Sequence, residues 1–576
     1  MKWTGSKNNY TLLIALLSAM LFIPFLGSVH LFDWDEINFA ECAREMIVSG
    51  NYSSVQINFQ PFWEKPPLFI WMQVLSMKIF GINEFAARFP NAVCGIVTLI
   101  FIFRTGSKLI DLRFGLVWVL SFAGSILPFF YFKSGIIDPW FNLFIFAAVY
   151  QVILHSNHTE EKYETKTALL SGVLIGLATL TKGPVALLIF ILCGATYYAI
   201  SKFRKVFSFK WIFLFLVSFL ITSGSWFFYI WISGNEQLIY DFVNYQVRLF
   251  STKDSGHGGF FGYHFVVLLL GCFPASIFAI RGLKKNKDES PYVNHFKQWM
   301  KILFWVVIIL FSIVKTKIVH YSSLCYFPLT FLSAYTIYRM VNKDWEWKKW
   351  MTVLFLSIGI ILSFIFSLLP LIDSVKSYFL HGQFINDRFA ADSFTLNANW
   401  LGWEWIPGVF FMFFLILFFY KLKSFSMKSA VILFSVVTLF IFFITTCIVP
   451  QVETYTQRPQ IEFYKSLRKK KCYVETVHFK SYANLFYTEK TPDLNTPELL
   501  KHVREKIESD IRTNQEVFSF NLYATNFIRG EKIQFPAYFV VKTDHIAEFK
   551  RECPHIHEIY RKGGYVFLFR PVPKIK

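Results

Sequence analysis

Three carboxylates stand where they could take part in acid–base chemistry. Asp35 and Glu36 close the run Asp-Trp-Asp-Glu at 33–36, directly after the first apolar stretch, and Asp138 opens a later apolar stretch. A carboxylate in such a position can accept a proton from an acceptor hydroxyl. The alternative is helix capping, because acidic residues are favoured at the N-cap and in the first turn of a helix.

Five basic residues could bind an anion, and all of them lie between apolar stretches rather than on one polar face. They are Lys65, Lys182, Arg248, Lys315 and Lys317. Cations of this kind can stabilise the charge on a departing phosphate. The prolines after Lys65 hold the chain extended there and so fix where its side chain points. An interfacial salt bridge with a snorkelling lysine is the alternative for Lys65.

Glu64 and His257 are candidate ligands for a divalent cation, whose identity the sequence leaves open. His320 and Tyr321 follow Lys317 at the start of a predicted membrane span and join the candidate site. The sequence contains no P-loop and no GxGxxG motif, so no nucleotide cofactor is predicted.

The elements that must position these residues are membrane helices. The chain has 576 residues, of which 54% are hydrophobic and only 17% are charged, whereas soluble domains are about 25% charged. We expect a mainly α, polytopic membrane protein with about thirteen spans. A first helix that is retained is preferred to a cleaved signal peptide. The predicted spans are 10–30, 88–104, 114–131, 138–155, 167–181, 183–200, 211–232, 262–280, 300–314, 320–340, 350–371, 405–421 and 428–449.

The formal net charge of +20 could suggest nucleic acid as a partner. The basic residues instead cluster in alternate short loops, which is the pattern of the positive-inside rule. With the N-terminus in the cytoplasm, the candidate residues all fall on the outside face. Ionisable residues near bilayer depth are costly and argue for a functional site.

Two domains are expected, a transmembrane catalytic domain over 1–450 and a small extracytoplasmic α/β domain over 451–576. Within the first, the outside loop 31–87 should hold two helices, at about 36–48 and 67–80, and the loop 233–261 should belong to the active site. In the second, strands are predicted at 472–478, 538–542 and 565–569, with a helix at 496–514. Cys472 and Cys553 are interpreted as packing thiols, with a disulfide as the alternative.

A site on this face of the membrane has no access to nucleotide pools, so an activated donor would have to be carried in the lipid. A polyprenyl-phosphate sugar meets that need. A transporter or lipid flippase is the alternative class, although transporters place substrate charges near the midplane between repeats. A non-catalytic binding scaffold is the third possibility.

Several motifs resemble those of the lipid A aminoarabinose transferases. In the first loop these are the segments 35–50, 63–68 and 80–88, and the later matches include Asp-Pro at 138–139, Thr-Lys-Gly at 181–183 and Phe-Lys-Ser-Tyr-Ala at 479–483. That family belongs to the GT-C superfamily of polytopic glycosyltransferases, with the protein O-mannosyltransferases.

The resemblance implies inverting transfer of a sugar, an aminopentose or a hexose, from undecaprenyl phosphate at the periplasmic face of the bacterial inner membrane. Lipid A or a related glycolipid would be the acceptor, with protein or polysaccharide as the alternatives. Asp35 would be the acidic catalytic residue, and Lys65 and Arg248 would bind the donor phosphate. Asp138 and Lys182 would orient it. The motif around Arg44 adds this residue to the phosphate ligands that the resemblance implies.

Overall fold

The computed structural model describes residues 6–157, 160–202, 207–251, 258–284, 290–381, 385–513, 519–530 and 532–573. It is predominantly helical, as the apolar stretches predict. The first half of the chain contains α1 (Lys7–Phe22), α2 (Asp35–Ser49), α3 (Leu68–Phe80), α4 (Glu84–Leu109), α5 (Leu112–Ala123), α6 (Ile126–Tyr131), α7 (Asp138–His155), α8 (Glu161–Lys182), α9 (Val185–Ile200), α10 (Phe209–Ile232), α11 (Glu236–Ser251), α12 (Tyr263–Gly271) and α13 (Ala275–Gly282).

The helices continue through the second half. They are α14 (Pro291–Ile313), α15 (Tyr326–Val341), α16 (Lys349–Leu368), α17 (Ile372–His381), α18 (Arg388–Phe394), α19 (Ile406–Tyr420), α20 (Met427–Phe443), α21 (Val449–Val452), α22 (Arg458–Ser466), α23 (Ala483–Thr488), α24 (Pro497–Arg512), α25 (Phe520–Gly530) and α26 (Ile546–Glu552). A 3₁₀ segment, Val319–Cys325, precedes α15, and a π-helical turn, Ile444–Ile448, follows α20.

The strands form two sheets. The first loop carries the short hairpin β1 (Gln56–Ile57) and β2 (Gln60–Pro61). Near the C-terminus lie β3 (Tyr473–Val477), β4 (Ala537–Lys542), β5 (His557–Lys562) and β6 (Tyr565–Arg570). They form a four-stranded sheet in the order β3-β4-β6-β5, in which only β3 and β4 run parallel.

Among the described residues, 5 helices are long and apolar enough to cross a membrane, or 6 if the bent pair α12 and α13 is one span. The pair corresponds to the predicted span 262–280, but its two helices meet at an angle of 116°. Pro274 lies at this break, and proline has no N–H with which to continue a helix. Four shorter apolar helices, α3, α5, α9 and α19, accompany the long ones.

The two helices predicted in the first loop are confirmed as α2 and α3. Asp35 and Glu36 lie in the first turn of α2, where the helix dipole favours negative charge. The helix ends at Gly50, whose φ of 70° is accessible to glycine without a steric cost. These boundaries place Asp35 at the N-terminus of α2, and the start of this helix faces the membrane helices.

The strands predicted near the C-terminus are confirmed as β3, β4 and β6, and the predicted helix as α24. The sequence does not predict β5 or the helices α22, α23, α25 and α26. All six residues of β5 are exposed, so it lacks the apolar alternation that marks a half-buried strand. Cys472 and Cys553 are both buried free thiols, in agreement with their interpretation as packing residues.

The C-terminal sheet region packs directly on the first loop. Ile37, Ala40 and Met46 of α2 share one hydrophobic cluster with Phe463 and Phe567. The contact is extensive enough to hold α2 between the sheet region and the membrane helices.

Polar contacts reinforce this packing. The side-chain amide of Asn58 donates to the side-chain oxygen of Asn521 at 2.7 Å. The side-chain amide of Asn495 donates to the backbone carbonyl of Asn58 at 2.8 Å. The backbone N–H of Leu31 donates to the Tyr487 hydroxyl at 2.8 Å. The loop that carries Asp35 is therefore fixed from the sheet side as well as from the membrane side.

Candidate active site

A cavity of about 610 Å³ opens where the first loop meets the membrane helices. Several elements contribute to its wall: the segment between α1 and α2, the start of α7, the junction of α8 and α9, and the 3₁₀ segment before α15. Nine titratable or phenolic residues of the wall matter here, namely Asp33, Asp35, Glu36, Glu64, Lys65, Asp138, Lys182, His320 and Tyr321. Eight of these nine are residues that the sequence analysis named.

Helix ends bring the central charges together. Asp35 and Asp138 begin α2 and α7, and Lys182 ends α8. Carboxylates at helix N-termini and an ammonium at a C-terminus are each favoured by the helix dipole. The arrangement therefore follows from where the helices start and stop.

His320 lies between the two aspartates. Its Nε2 is 3.1 Å from Asp35 Oδ2 and 3.8 Å from Asp138 Oδ2. Lys182 donates to the other oxygen of Asp138 and its Nζ lies 5.0 Å from the centre of the Tyr321 ring, within cation–π range. These residues form one connected polar network in the cavity wall.

Asp35 is held in its ionised form. Burial opposes this, but the hydrogen bond and charge of His320, together with the charges of Lys65 and Lys182, lower the pKa of Asp35 to about 2. An ionised carboxylate facing a cavity can accept a proton, so Asp35 satisfies the first requirement of a base.

Asp33, which the sequence analysis did not select, also faces the cavity. The hydroxyl of Ser481 donates to Asp33 Oδ2 at 2.6 Å, which links the cavity wall to the C-terminal sheet region. Burial among the surrounding elements raises the pKa of Asp33 to about 6, against the opposing effects of Ser481 and Lys542. The sequence feature that could have identified Asp33 as a site residue is its position two residues before Asp35.

Glu36 is committed to a structural pair. Its carboxylate binds the Arg88 guanidinium at 2.7 and 3.0 Å and accepts the N–H groups of Phe32 and Gly135. Arg88 also donates to three backbone carbonyls just before α2. Glu36 therefore fixes the loop in which Asp35 lies, and its expected catalytic role stays a prediction.

Lys317 does not reach the cavity. Its Nζ donates to the carbonyls of Phe311, Ser312 and Val314, which are left without helical partners at the end of α14. The side chain is buried there, so it caps a helix and cannot bind a phosphate in this arrangement. Lys315 is exposed and is not part of the cavity wall.

Arg44 is also elsewhere. It is 1% exposed and forms a two-point pair with Glu41, with distances of 2.6 and 2.7 Å. The pair lies on α2 in the packed region between the first loop and the sheet. A buried guanidinium already bound to a carboxylate does not serve as the expected phosphate ligand.

Two candidates cannot be placed in the site. Arg248 belongs to α11, but its side chain lies outside the described part of the chain, as does the whole of His257. Gln246 of the same helix does line the cavity, so α11 reaches it. Glu64 also lines the cavity and offers one carboxylate to a cation, while its expected partner, His257, stays a prediction.

Comparisons with known proteins show what the chain resembles in sequence and in fold. Residues 64–228 match the family model described as dolichyl-phosphate-mannose-protein mannosyltransferase. The structure superimposes on that of ArnT from Cupriavidus metallidurans bound to undecaprenyl phosphate, with a TM-score of 0.72, 16% identity and 98% coverage of both chains. The chain has the fold of ArnT.

Similar sequences point the same way. The chain is 27% identical to the undecaprenyl phosphate-alpha-4-amino-4-deoxy-L-arabinose arabinosyl transferase of Shewanella sediminis over 57% of its own length. It is also 27% identical to the corresponding transferase 1 of Proteus mirabilis over 56% of its length. The alignments span 60% and 58% of those relatives. The resemblance first noted in the motifs is thus confirmed, and the matched stretches cover somewhat more than half of this chain.

Proposed function

We propose that this protein is a glycosyltransferase that moves a sugar from a polyprenyl-phosphate donor to lipid A or a related glycolipid. One observation carries the proposal: four charged residues from four separate segments of the chain line the same cavity. They are Asp35, Lys65, Asp138 and Lys182. If these residues only formed salt bridges that stabilise the fold, an ionised carboxylate and two lysines would not need to line a cavity of about 610 Å³.

The chemistry follows from the charges. The acceptor oxygen attacks the anomeric carbon while the bond from that carbon to the phosphate oxygen breaks, and the departing phosphate keeps the electron pair. Asp35 takes the proton from the acceptor hydroxyl, which its low pKa keeps possible at neutral pH. Lys65 and Lys182 offset the charge that develops on the phosphate. Attack opposite the leaving group inverts the configuration.

Asp138 has a supporting part. One of its oxygens holds Lys182, and the other is buried and accepts no hydrogen bond from the described residues. A buried acceptor without a donor is costly, so a substrate hydroxyl is a fitting partner for it. Asp138 would then orient both the lysine and the sugar.

The proposed surroundings are those of the bacterial inner membrane, crossed by about thirteen spans. The cavity and the C-terminal α/β domain would lie on the periplasmic side, where membrane lipids deliver the donor. Positive charge in alternate loops supports this orientation. Glu64 and His257 would hold a divalent cation, which would neutralise phosphate charge when bound.

A second acceptor class has specific support. The family model that matches residues 64–228 describes transfer to protein, and the same donor chemistry would serve a protein hydroxyl or a polysaccharide. The transporter alternative has weaker support, because the cavity charges cluster where the first loop meets the helices.

Mass spectrometry of lipid A and total glycolipid, from cells with and without the gene, tests the proposal. We expect the loss of one sugar-sized mass increment from lipid A in the deletion strain, restored by the wild-type gene but not by one encoding Asp35→Asn. Unchanged lipid A with a lost increment on protein or polysaccharide would move the acceptor to that class. No change in any of the three fractions would contradict the proposal.

A further inference from the structure

A second group of metal-binding side chains lies on the C-terminal sheet region, outside the cavity. His478 directly follows β3, His545 lies three residues after β4, and Glu548 is in the first turn of α26. Because β3 and β4 are parallel neighbours, their carboxyl ends meet at one edge of the sheet. Residues from distant parts of the chain thereby come together, as they do in many ligand sites of parallel sheets.

The spacing of the three side chains suits a shared ion. One ligand atom from each lies within 4.8 Å of the other two. Glu548 Oε2 is 3.6 Å from His545 Nδ1 and 4.0 Å from His478 Nδ1. These separations are too long for hydrogen bonds. The shorter separation lies within the roughly 3.3–3.6 Å between ligand atoms around a tetrahedral zinc with bonds near 2.0–2.2 Å, and the longer one is slightly above it.

The orientation of the imidazoles supports the same conclusion. Both rings present Nδ1 toward the carboxylate of Glu548. On the far side of the His545 ring, Nε2 lies 3.6 Å from Asp544 Oδ2. At this distance Asp544 forms no hydrogen bond to the ring, but its negative charge lies close enough to favour a bound cation.

We propose that His478, His545 and Glu548 bind a zinc ion or a similar first-row divalent cation that prefers imidazole. Two imidazoles and one carboxylate form a common three-ligand zinc set, with a water in the fourth position. The proposal does not depend on the glycosyltransferase activity. It also differs from the candidate pair Glu64 and His257, since Glu64 lies in the cavity wall.

The proposed metal site lies at the start of a loop that contacts the cavity wall, so a bound ion would affect this contact. Three residues after His478, Ser481 binds Asp33 of the cavity wall, and Lys480 Nζ lies 4.4 Å from the centre of the Trp34 ring. An ion that joins His478 to α26 would fix the start of this loop. It would thereby hold the contact between the sheet region and the cavity.

Zinc binding to the full chain tests the proposal directly. The protein is purified in detergent with a histidine-free affinity tag, stripped with a chelator and titrated with zinc chloride, and bound metal is counted by mass spectrometry of the element. We expect one zinc per chain in addition to any cation at Glu64 and His257, and His545→Ala and Glu548→Gln should each weaken the binding of this zinc at least about tenfold. The matched controls His557→Ala, on the exposed strand β5, and Glu505→Gln, on the exposed face of α24, should keep it.

A measurement on the unsubstituted protein guards against variants that fold poorly. Zinc should protect His478 and His545, but not His557, from modification by diethyl pyrocarbonate, as read by peptide mass spectrometry. Equal modification with and without zinc would overturn the proposal. So would a zinc content that His545→Ala and Glu548→Gln both leave unchanged.

Discussion

His320 connects the two carboxylates of the cavity. It lies 3.1 Å from Asp35 and 3.8 Å from Asp138, so a single imidazole influences both the residue proposed as base and the residue that holds Lys182. The hydrogen bond from His320 is the strongest of the effects that lower the pKa of Asp35. At the scale of single residues, the protonation state of the site thus depends on this histidine.

Removing His320 should change the pH profile of transfer. In His320→Ala, burial still disfavours the Asp35 carboxylate while the main opposing effect is gone, so its pKa should rise from about 2 to above the ordinary value of about 4. The acid limb of the kcat/KM profile should therefore appear above about pH 4, where the wild type is still active. The control is His557→Ala. Superimposable acid limbs for His320→Ala and the wild type would contradict this role.

Lys65 should matter more for donor binding than a lysine of the opposite membrane face. Lys65→Ala removes a cation from the cavity wall, whereas Lys108→Ala removes an exposed cation from the last turn of α4. A charge-assisted contact to phosphate is worth about 1.5–3 kcal/mol, so we expect the donor Kd to rise at least about tenfold for Lys65→Ala only. Titration with undecaprenyl phosphate measures both. Equal weakening would contradict the placement of Lys65 in the site.

The elements explain which residues the sequence could identify. Asp35 directly precedes a helical pattern and Asp138 opens an apolar stretch, so the local sequence places both at helix N-termini. Lys317 has the same type and neighbourhood as a phosphate ligand, but it bends back onto α14. The direction of the Lys317 side chain depends on the unpaired carbonyls at the end of that helix, and the hydrophobic periodicity of the sequence does not predict it. Likewise the pairing of Arg44 with Glu41 depends on how α2 is buried.

The helix-capping role of Lys317 has its own test. Lys317→Met leaves three carbonyls at the end of α14 without their donor, which should lower the free energy of unfolding by about 1–3 kcal/mol. Thermal unfolding in detergent, followed by tryptophan fluorescence, measures the loss. The control Lys315→Met replaces an exposed side chain and should change little. A donor Kd that rises tenfold in Lys317→Met, with unchanged stability, would restore Lys317 as a phosphate ligand.

At the scale of the whole molecule, the sequence predicted a helical membrane protein with a small sheet near its C-terminus, and the structure has both. It could not show that this sheet region packs on α2, because the contacts join residues more than 400 positions apart, such as Asn58 and Asn521. The count of spans also depends on the fold. The predicted span 262–280 is broken at 116°, and hydropathy does not record bends.

Thiol labelling tests the orientation of the molecule. In right-side-out vesicles, a membrane-impermeant maleimide should label Lys501→Cys, on the exposed face of α24, and should leave Lys284→Cys unlabelled until the membrane is opened. The native cysteines give little background, since they are buried apart from the half-buried Cys447. The reverse labelling pattern would place the cavity on the cytoplasmic side.

Transfer by the purified protein tests the central claim most directly. Wild-type protein and Asp35→Asn are reconstituted with lipid-linked sugar donors and lipid A, and the product is measured by mass spectrometry, with exposed Glu346→Gln as the control. We predict transfer by the wild type and the control, and a loss of at least about 10²-fold in Asp35→Asn, with folding and donor binding retained. Normal turnover by Asp35→Asn would contradict the account.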